Sequence, residues 1–484
     1  MVDLAVAAAV AVVGGGISGL VAAHRLVKAG AEVTVVERSP RLGGKVVTEH
    51  SDGFLIEGGP DSFVAGKGSV IELADELGIA NRVISSRPEH RGSHVWWGDR
   101  LHPLPGGLLL MVPSQLSPLL RSSLLSWKGK LRVLCDLALP RQRHGDESLE
   151  SFVVRRLGRE VLERIAEPLI AGIHAAEPSS MSLQASFPRF LEMEQKHRSL
   201  ILAARAASSK SAADNGMSYF ASFKAGMGEL AAALVGAMDG VDIKTGVTVT
   251  RLTRDGDGGG YRLILDDGTV LRTASVVLAT PARETAGLLS ELVPEAAAAL
   301  SGIRQVATAT VTLAYRVDEI PPLFGSGFVV PSVEGRRIMG VSYLSHKWEG
   351  RVPDQQFALL RAFVGGPKGQ ELAAAGKEQL TAAVLDELAA LIGLTARPLL
   401  VRARSWEGGL HQYTLGHVDR VARAESALAT HPGLALAGAA FHGIGLNECV
   451  ESGRRAAASV LAARDAPLTS DASDHLSSRL WSSN

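Results

Sequence analysis

Three glycines near the start of the chain have the spacing of a phosphate-binding turn. Gly14, Gly16 and Gly19 follow an apolar run and precede a helix-like segment. Gly14 allows a tight turn, Gly16 leaves room for a phosphate, and Gly19 lets the helix pack closely on the strand. The first helical residues, Ile17 and Ser18, present unpaired N–H groups and a partial positive charge to an anion. The pattern predicts a dinucleotide site, and a glycine-rich loop without a ligand is the alternative.

An acid at the end of the next apolar segment completes the pattern. Glu37 ends that segment and stands about twenty residues beyond the glycines, where a carboxylate accepts hydrogen bonds from ribose hydroxyls. Arg38 follows directly. We therefore assign both residues to the nucleotide site.

A second glycine doublet distinguishes between nucleotides. Gly43 and Gly44 lie between Arg41 and Lys45. Such a doublet can wrap the far side of a pyrophosphate and approach a flavin ring, which a nicotinamide enzyme does not need. FAD is therefore the predicted cofactor. An ordinary Gly-Gly turn between strands, which would have the same sequence, is the alternative. A third candidate cofactor motif consists of Gly58, Gly59, Pro60 and Asp61.

Composition limits the class of protein. A chain of 484 residues predicts two or three domains. Lys plus Arg and Asp plus Glu each total 50, so no overall field attracts nucleic acid and no such partner is expected. Cys135 and Cys449 are the only cysteines and have neither metal nor disulfide spacing, so no metal is expected. The apolar residues 4–13 are too few to span a bilayer and lack the basic start of a signal peptide, so a cytoplasmic protein is expected.

Hydrophobic periodicity predicts a mixed α/β (α+β) fold in three domains and a tail. The first is a Rossmann-type FAD-binding domain assembled from separated stretches, the second an antiparallel-sheet substrate domain, and the third a helical domain. The tail is rich in Ser and Asp and is expected to be disordered. In this order the parts comprise residues 1–84, 226–300 and 431–466, then 85–117 and 301–430, then 118–225, and finally 467–484.

Local signals predict the bounds of several helices. Residues 16–29 read as a helix that stops at a glycine. Ser69 and Glu72 have the spacing of a capping box that opens another. A third helix is expected over residues 149–165, with an interruption at Pro168.

Strands are predicted from alternating or continuously apolar runs. Residues 247–252, 261–265 and 357–364 have such patterns. A hairpin is expected to turn at Gly98 and Asp99.

Several segments resemble the porphyrinogen oxidases of haem synthesis, which belong to the flavoprotein superfamily of amine oxidases and carotenoid desaturases. The doublet Gly43-Gly44 matches that superfamily's motif. The likeness runs from about residue 11 to about residue 463 and is greatest to the soluble Gram-positive type, which oxidises coproporphyrinogen III to coproporphyrin III. The segments that carry it are residues 58–63, 167–174, 187–190, 194–200 and 438–453.

The resemblance also has two departures. Ala439 stands where family members often have Asn after the glycine, and Asn447-Glu448 replaces a more usual Pro-Asp pair. Neither change removes a residue that performs chemistry, but both are expected to alter placement of the substrate.

The resemblance implies an enzyme that transfers hydride from a porphyrinogen to FAD, with dioxygen reoxidising the flavin and releasing hydrogen peroxide. Enzymes of the haem pathway are candidate partners. No catalytic residue is assigned, because hydride transfer to a flavin depends on proximity and orientation more than on an acid or base. Further cofactor contacts implied by the resemblance are Val247, Ala279, Gly438, Gly445 and Leu446.

A porphyrinogen carries carboxylates on the rim of an apolar ring, so its site needs a few cations. Lys67, Lys196 and Arg198 are candidates, and a solvated helix face is the alternative for the last two. His174 and His442 lie in family-like segments as candidate substrate contacts or as satisfied structural donors. Four rim carboxylates would need more cations than two, so the basic helical segment favours coproporphyrinogen III over protoporphyrinogen IX.

Other functions remain open from the sequence. An amine oxidase or carotenoid desaturase would share the nucleotide half, and a flavin-binding scaffold without catalysis would share the whole fold. The leucines and cations of residues 108–137 could form a peripheral membrane surface. Core packing of a helical domain explains the same pattern.

Overall fold

The computed structural model describes residues 9–65, 68–142, 145–211, 219–256 and 259–465. The candidate Lys67 and the terminal tail from residue 466 lie outside these ranges. The strands, in chain order, are β1 (Ala9–Val13), β2 (Glu32–Glu37), β3 (Thr48–Ser51), β4 (Phe54–Glu57), β5 (Phe63–Val64), β6 (Val83–Ser85), β7 (His94–Trp97), β8 (Arg100–Pro103), β9 (Leu108–Leu109), β10 (Val112–Pro113), β11 (Phe220–Phe223), β12 (Asp242–Thr245), β13 (Val249–Arg254), β14 (Tyr261–Leu265), β15 (Val270–Thr273), β16 (Ser275–Leu278), β17 (Gln305–Arg316), β18 (Gly327–Val329), β19 (Gly340–Tyr343), β20 (Phe357–Val364), β21 (Leu400–His411) and β22 (Leu434–Leu436).

The helices, in chain order, are α1 (Ile17–Lys28), α2 (Ser69–Glu76), α3 (Leu116–Arg121), α4 (Trp127–Leu134), α5 (Leu149–Arg156), α6 (Arg159–Val161), α7 (Glu167–His174), α8 (Leu183–Ser186), α9 (Pro188–His197), α10 (Leu200–Ser211), α11 (Gly228–Gly236), α12 (Ala282–Leu289), α13 (Pro294–Ser301), α14 (Leu344–Lys347), α15 (Gly366–Ala373), α16 (Lys377–Ile392), α17 (His417–Leu428) and α18 (Leu446–Asp465). The helix predicted over residues 16–29 is confirmed as α1 to within one residue at each end.

Five parallel strands in the order β12-β2-β1-β16-β22 form the sheet that carries the first glycine turn. The strands come from three separated stretches of the chain. β1 and β16 are apolar and buried along almost their whole length, as expected for parallel strands covered on both faces. α1 and α18 pack in the core on one face, and α12, α13 and α17 pack in the core on the other. The glycine turn therefore lies at the carboxyl end of β1, where ligands bind in such sheets.

A seven-stranded sheet, in the order β21-β17-β20-β19-β18-β7-β8, forms a second layer. Its pairs are antiparallel except for β18 with β7, which run parallel. The predicted hairpin is confirmed between β7 and β8, with Gly98 and Asp99 at positive φ. α15 and α16 contribute to the apolar core on this sheet. The strands predicted at residues 261–265 and 357–364 are confirmed as β14 and β20, whereas the strand predicted at 247–252 begins two residues later, as β13.

Helices α3–α10 surround a third apolar core. The expected interruption at Pro168 is wrong, because a π-helical turn, Leu162–Ala166, runs directly into α7. The wider hydrogen-bond spacing of a π turn accommodates a residue without an N–H group. The helix predicted over residues 149–165 breaks instead at Gly158, whose φ is 97°.

The expected capping box at Ser69 and Glu72 is also wrong. Gly68 is the N-cap of α2 and makes no side-chain capping bond. The Ser69 hydroxyl donates to Glu451 of α18, and the Val70 N–H donates to Oδ1 of Asn447 at 3.0 Å. Tertiary packing of α18 on α2 therefore replaces the local cap with a residue 377 positions away.

No helix within the described ranges is both long and apolar enough to cross a bilayer. In the same ranges, no group of three His, Cys, Asp or Glu side chains lies close enough together to hold a metal ion.

Candidate functional site

The first glycine turn has the shape required for close approach of a phosphate. Gly14 has φ 108°, and a Cβ there would lie 2.7 Å from the Ala279 oxygen. A Cβ on Gly19 would lie 1.9 Å from the Gly14 oxygen, so that position also requires glycine. A Cβ on Gly16 would meet no protein atom within 4 Å, so the space before the α1 N-terminus, at Ile17 and Ser18, is open to a ligand. Open space at a helix N-terminus fits a diphosphate.

The Glu37 carboxylate closes the first glycine turn. Its Oε2 accepts a hydrogen bond from the Gly15 N–H at 2.7 Å, and its Oε1 accepts from the N–H (2.8 Å) and hydroxyl (2.6 Å) of Ser39. The Val247 N–H donates to the Glu37 main-chain oxygen at 3.1 Å. Oε1 thus already accepts two hydrogen bonds, whereas Oε2 accepts one and has a further acceptor position for a ribose hydroxyl. The Arg38 side chain, by contrast, is largely exposed and pairs with Glu284.

The second glycine doublet lies directly on the first turn. The Gly43 N–H donates to the Gly15 oxygen at 2.8 Å, and a Cβ on Gly44 would lie 3.0 Å from the Gly16 Cα. Nη2 of Arg41 donates to the Gly44 oxygen at 2.6 Å, which fixes the doublet from behind.

Lys45 connects the doublet to the seven-stranded sheet. Its Nζ donates to the Gly408 oxygen of β21 at 3.2 Å. Burial lowers the pKa of Lys45, because the charged form loses its hydration.

The third motif packs against the second. A Cβ on Gly59 would lie 1.7 Å from the Lys45 oxygen, so a larger residue cannot occupy this position without moving the backbone. Nε1 of Trp406 donates to the Gly58 oxygen at 2.9 Å, and the Arg361 guanidinium donates to the Gly59 oxygen. Side chains of β20 and β21 therefore fix the third motif by hydrogen bonds.

Charged groups are buried on both sides of this motif. Burial would raise the pKa of Asp61, but Lys347 and Arg361 hold it well below the usual range. Burial raises the pKa of Glu57 to about 7. The hydrogen bonds that its carboxylate accepts from the Met227 N–H at 2.7 Å and the Thr48 hydroxyl at 2.8 Å oppose part of this rise. Gly58, Gly59 and Pro60 lie between these two acids in the sequence.

Arg404 adds a further cation at this point. A Cβ on Gly58 would lie 2.7 Å from its Nε, and its guanidinium stacks 5.7 Å from the Trp406 ring centroid. Within the part of the chain that the structure describes, Arg404 has no carboxylate partner. Burial lowers the pKa of Arg41 and of Arg361, and the Arg404 charge lowers both further, while Asp61 and Glu57 raise that of Arg361. Arg404 is therefore a candidate contact for an anionic ligand.

The C-terminal motif completes the site. Gly438 has φ 132° and donates from its N–H to the Ser452 hydroxyl at 2.9 Å. Gly445 and Leu446 form the start of α18, and the Gly445 oxygen accepts from the Cys449 N–H at 2.9 Å. α18 crosses α1 closely, since a Cβ on Gly453 would lie 2.4 Å from the Ser18 oxygen.

The candidate substrate residues are scattered. Lys196 is exposed at the end of α9. Arg198, with φ 64°, donates from Nη2 to the Leu137 oxygen at 3.0 Å on the outside of the helical layer. Nε2 of His442 pairs with Glu425 at 2.7 Å near the surface.

His174 is the exception, because it is buried at the end of α7. Its ring contacts Phe187, with centroids 5.3 Å apart, and its main-chain oxygen accepts from Nε2 of Gln412 at 2.9 Å. Burial lowers its pKa to about 4, so the ring is neutral at pH 7.

Sequence reasoning missed Arg361, Arg404 and Trp406. The available signal was the alternation of the long side chains of Arg404 and Trp406 with Ser405 and Glu407, which puts the first two on one face of a strand. The partner of that face could not be read from the sequence.

The fold and the three joined glycine motifs define a class of protein. The family model for flavin-containing amine oxidoreductases matches residues 17–461, and the chain belongs to this family. This membership confirms the predicted fold class and the predicted cofactor, FAD.

Particular relatives can be named within the family. The coproporphyrinogen III oxidase of Bacillus subtilis (strain 168) is 32% identical over 93% of this chain and 97% of that protein. The coproporphyrinogen III oxidase of Propionibacterium freudenreichii subsp. freudenreichii is 34% identical over 97% of this chain and 94% of that protein. A crystal structure from Exiguobacterium sp. 255-15, named for protoporphyrinogen oxidase, has a TM-score of 0.83 and 33% identity over 93% of this chain and 98% of that one.

Proposed function

We propose that this protein is an oxygen-dependent oxidase that converts a porphyrinogen into a porphyrin, with coproporphyrinogen III as the favoured substrate. The observation that supports it most is the similarity to coproporphyrinogen III oxidases over almost the whole chain. The cofactor-shaped turn at Gly14–Gly19 and the Arg404 side chain beside Gly58 are consistent with it.

We assign roles in cofactor binding by position. The N–H groups at the start of α1, from Gly16 to Ser18, would hold the diphosphate, and Glu37 the ribose hydroxyls. Lys45 and the Gly58–Gly59 turn would lie beside the rest of the cofactor, opposite the start of α18 at Gly445.

Bound FAD supplies hydride acceptance and two-electron transfer to dioxygen, one hydrogen peroxide leaving for each hydride removed. The protein's part is then to hold the ring and exclude water. The buried histidines do not offer a proton at pH 7, because burial lowers the pKa of His174 to about 4 and of His411 to about 3, in the second case with a contribution from Lys45.

Turnover of coproporphyrinogen III and protoporphyrinogen IX side by side tests the proposal. We expect porphyrin fluorescence to grow faster with the four-carboxylate ring, with one peroxide for each dioxygen consumed. Faster turnover of protoporphyrinogen IX would show that this ring is the preferred substrate. Inactivity on both rings would favour an amine oxidase of the same family.

A non-catalytic flavin protein is distinguished by anaerobic mixing. A catalytic protein should bleach its flavin absorbance when porphyrinogen is added without oxygen. Flavin that stays oxidised would favour a scaffold for haem-pathway enzymes.

We further propose peripheral membrane contact through α4. Trp127 is 72% exposed and Leu131, one helical turn away, is 62% exposed. Lys128 is exposed beside them, whereas Leu119 and Leu124 of the same region are buried in the helical core. The region therefore combines core packing with a small amphipathic surface.

A further inference from the structure

Two buried aromatic residues hold the loop that precedes α18. The loop of residues 439–443 follows Gly438 and ends at Gly443. The φ angles of these two glycines are 132° and 134°. A Cβ on Gly443 would lie 2.3 Å from Cγ of Glu448. The loop's ends therefore need glycine, and glycine by itself does not fix a backbone conformation.

Tyr413 supplies the missing constraint. Its hydroxyl donates to the Ala439 oxygen at 2.9 Å and accepts from the Gly443 N–H at 2.7 Å, so one group joins the two ends of the loop. The Tyr413 ring stacks on His417, with centroids 3.8 Å apart. Nε2 of His417 lies 3.0 Å from the Phe441 oxygen, at the middle of the loop.

The protonation state of His417 fits this arrangement. Burial lowers its pKa to about 4, so the ring is neutral at pH 7 and carries one N–H. Placing that proton on Nε2 makes His417 the donor to the Phe441 oxygen. The loop is thus held at its first, middle and last residues by one stacked pair.

The same short segment is tied to the helical layer. Nε2 of Gln412 donates to the His174 oxygen at 2.9 Å, and the Ser182 N–H donates to the Tyr413 main-chain oxygen at 2.8 Å. Residues 412 and 413 therefore connect the end of α7 to the loop before α18.

We infer that Tyr413 is a positioning residue that sets the C-terminal loop, and with it the start of α18, for FAD. The inference rests on the proposed cofactor site, because it assumes that the loop and the α18 N-terminus face the flavin nucleotide. Tyr413 itself acts through the loop and need not touch the cofactor.

The test compares two Tyr→Phe variants in the full-length protein. Tyr413→Phe keeps the ring and its stacking on His417 but removes both hydroxyl contacts. Tyr315→Phe is the matched control, because Tyr315 is fully buried in β17 and, among the described residues, its hydroxyl has no hydrogen-bond partner. Both variants lose one buried hydroxyl, so a general effect of that loss appears in both.

The readouts are the dissociation constant of FAD, the visible spectrum of the bound flavin and its reduction potential. For Tyr413→Phe we expect FAD to bind roughly tenfold more weakly, the loss of one to two hydrogen bonds, with a changed flavin spectrum. We expect Tyr315→Phe to match wild type in all three. Equal FAD affinity and spectra in the two variants would overturn the inference.

The thermal stability of the FAD-free protein distinguishes a purely structural role of Tyr413 from a role in positioning the loop for FAD. If Tyr413→Phe lowers that stability while FAD affinity and spectrum stay unchanged, Tyr413 supports the fold and not the cofactor. A wild-type protein that binds no FAD would refute the proposed site itself, which is a different outcome from failure of the Tyr413 inference.

Discussion

Glu57 is the group whose ionisation should couple most visibly to stability. It is 1% exposed, and burial raises its pKa from 4.5 to about 7. A raised pKa means that the folded protein keeps a proton which the unfolded chain releases. The contribution to stability is therefore complete below pH 4.5 and is lost as pH rises through the window from 4.5 to about 7.

The size of the loss follows from the shift. At about 1.4 kcal/mol for each pKa unit, the free energy of unfolding should fall by about 3 kcal/mol across the window. Glu57→Gln removes the ionisation while keeping the shape and an oxygen that accepts from the Met227 N–H. As pH rises from 4.5 to 8, the free energy of unfolding of Glu57→Gln should therefore increase by about 3 kcal/mol relative to that of wild type.

Urea unfolding of the holoprotein across that range measures the difference. Asp61→Asn provides a control of opposite sign, because the pKa of Asp61 is lowered and its stabilisation is present at neutral pH and lost in acid. Asp61→Asn should thus be destabilised most at neutral pH and approach wild type in acid. Parallel profiles for wild type and Glu57→Gln would show that Glu57 ionises normally, and the argument from burial would fail.

Three further variants, one of them with a matched control, test the site and the surface. Glu37→Ala removes the acceptor for the Gly15 N–H and a ribose contact worth about 1.5–3 kcal/mol, so FAD should be lost on dialysis; full retention would show that Glu37 does not hold the nucleotide. Gly59→Ala should abolish FAD binding, because its Cβ would lie 1.7 Å from the Lys45 oxygen, whereas Gly236→Ala, a helical position with open space, should retain FAD and raise the melting temperature slightly. Trp127→Ser should reduce co-sedimentation with anionic liposomes and leave turnover unchanged, and equal sedimentation of both proteins would exclude α4 as the contact.

The local parts of the site could be predicted from the sequence because each motif is fixed by its own backbone. Gly19 is required by contact with the Gly14 oxygen, which a short strand–turn–helix imposes. Hydrophobic period likewise gave β14 and β20 with their observed ends. Such features depend on neighbours in sequence, or on a turn of one well-known shape.

Features decided by distant contacts could not be predicted. The cap of α2 comes from Asn447, and no local signal at Ser69 could reveal it. The unbroken passage through Pro168 depends on a π turn that periodicity does not encode. At α2, packing of the remote α18 outweighs a local capping preference of about 1 kcal/mol.

The site's charge balance also belongs to the assembled molecule. Arg361 and Arg404 come from strands that follow the glycine motifs by some 300 residues, and only the pairing of β20 and β21 with β17 brings them to Gly58 and Gly59. A guanidinium that is partly buried beside two others, without a carboxylate partner among the described residues, is stable only where an anion or water offsets its charge. A dinucleotide diphosphate and a carboxylate-bearing ring are both anions. The second sheet therefore adds Arg361 and Arg404 to the cations of the glycine motifs, and we expect Arg404 to contact an anionic ligand.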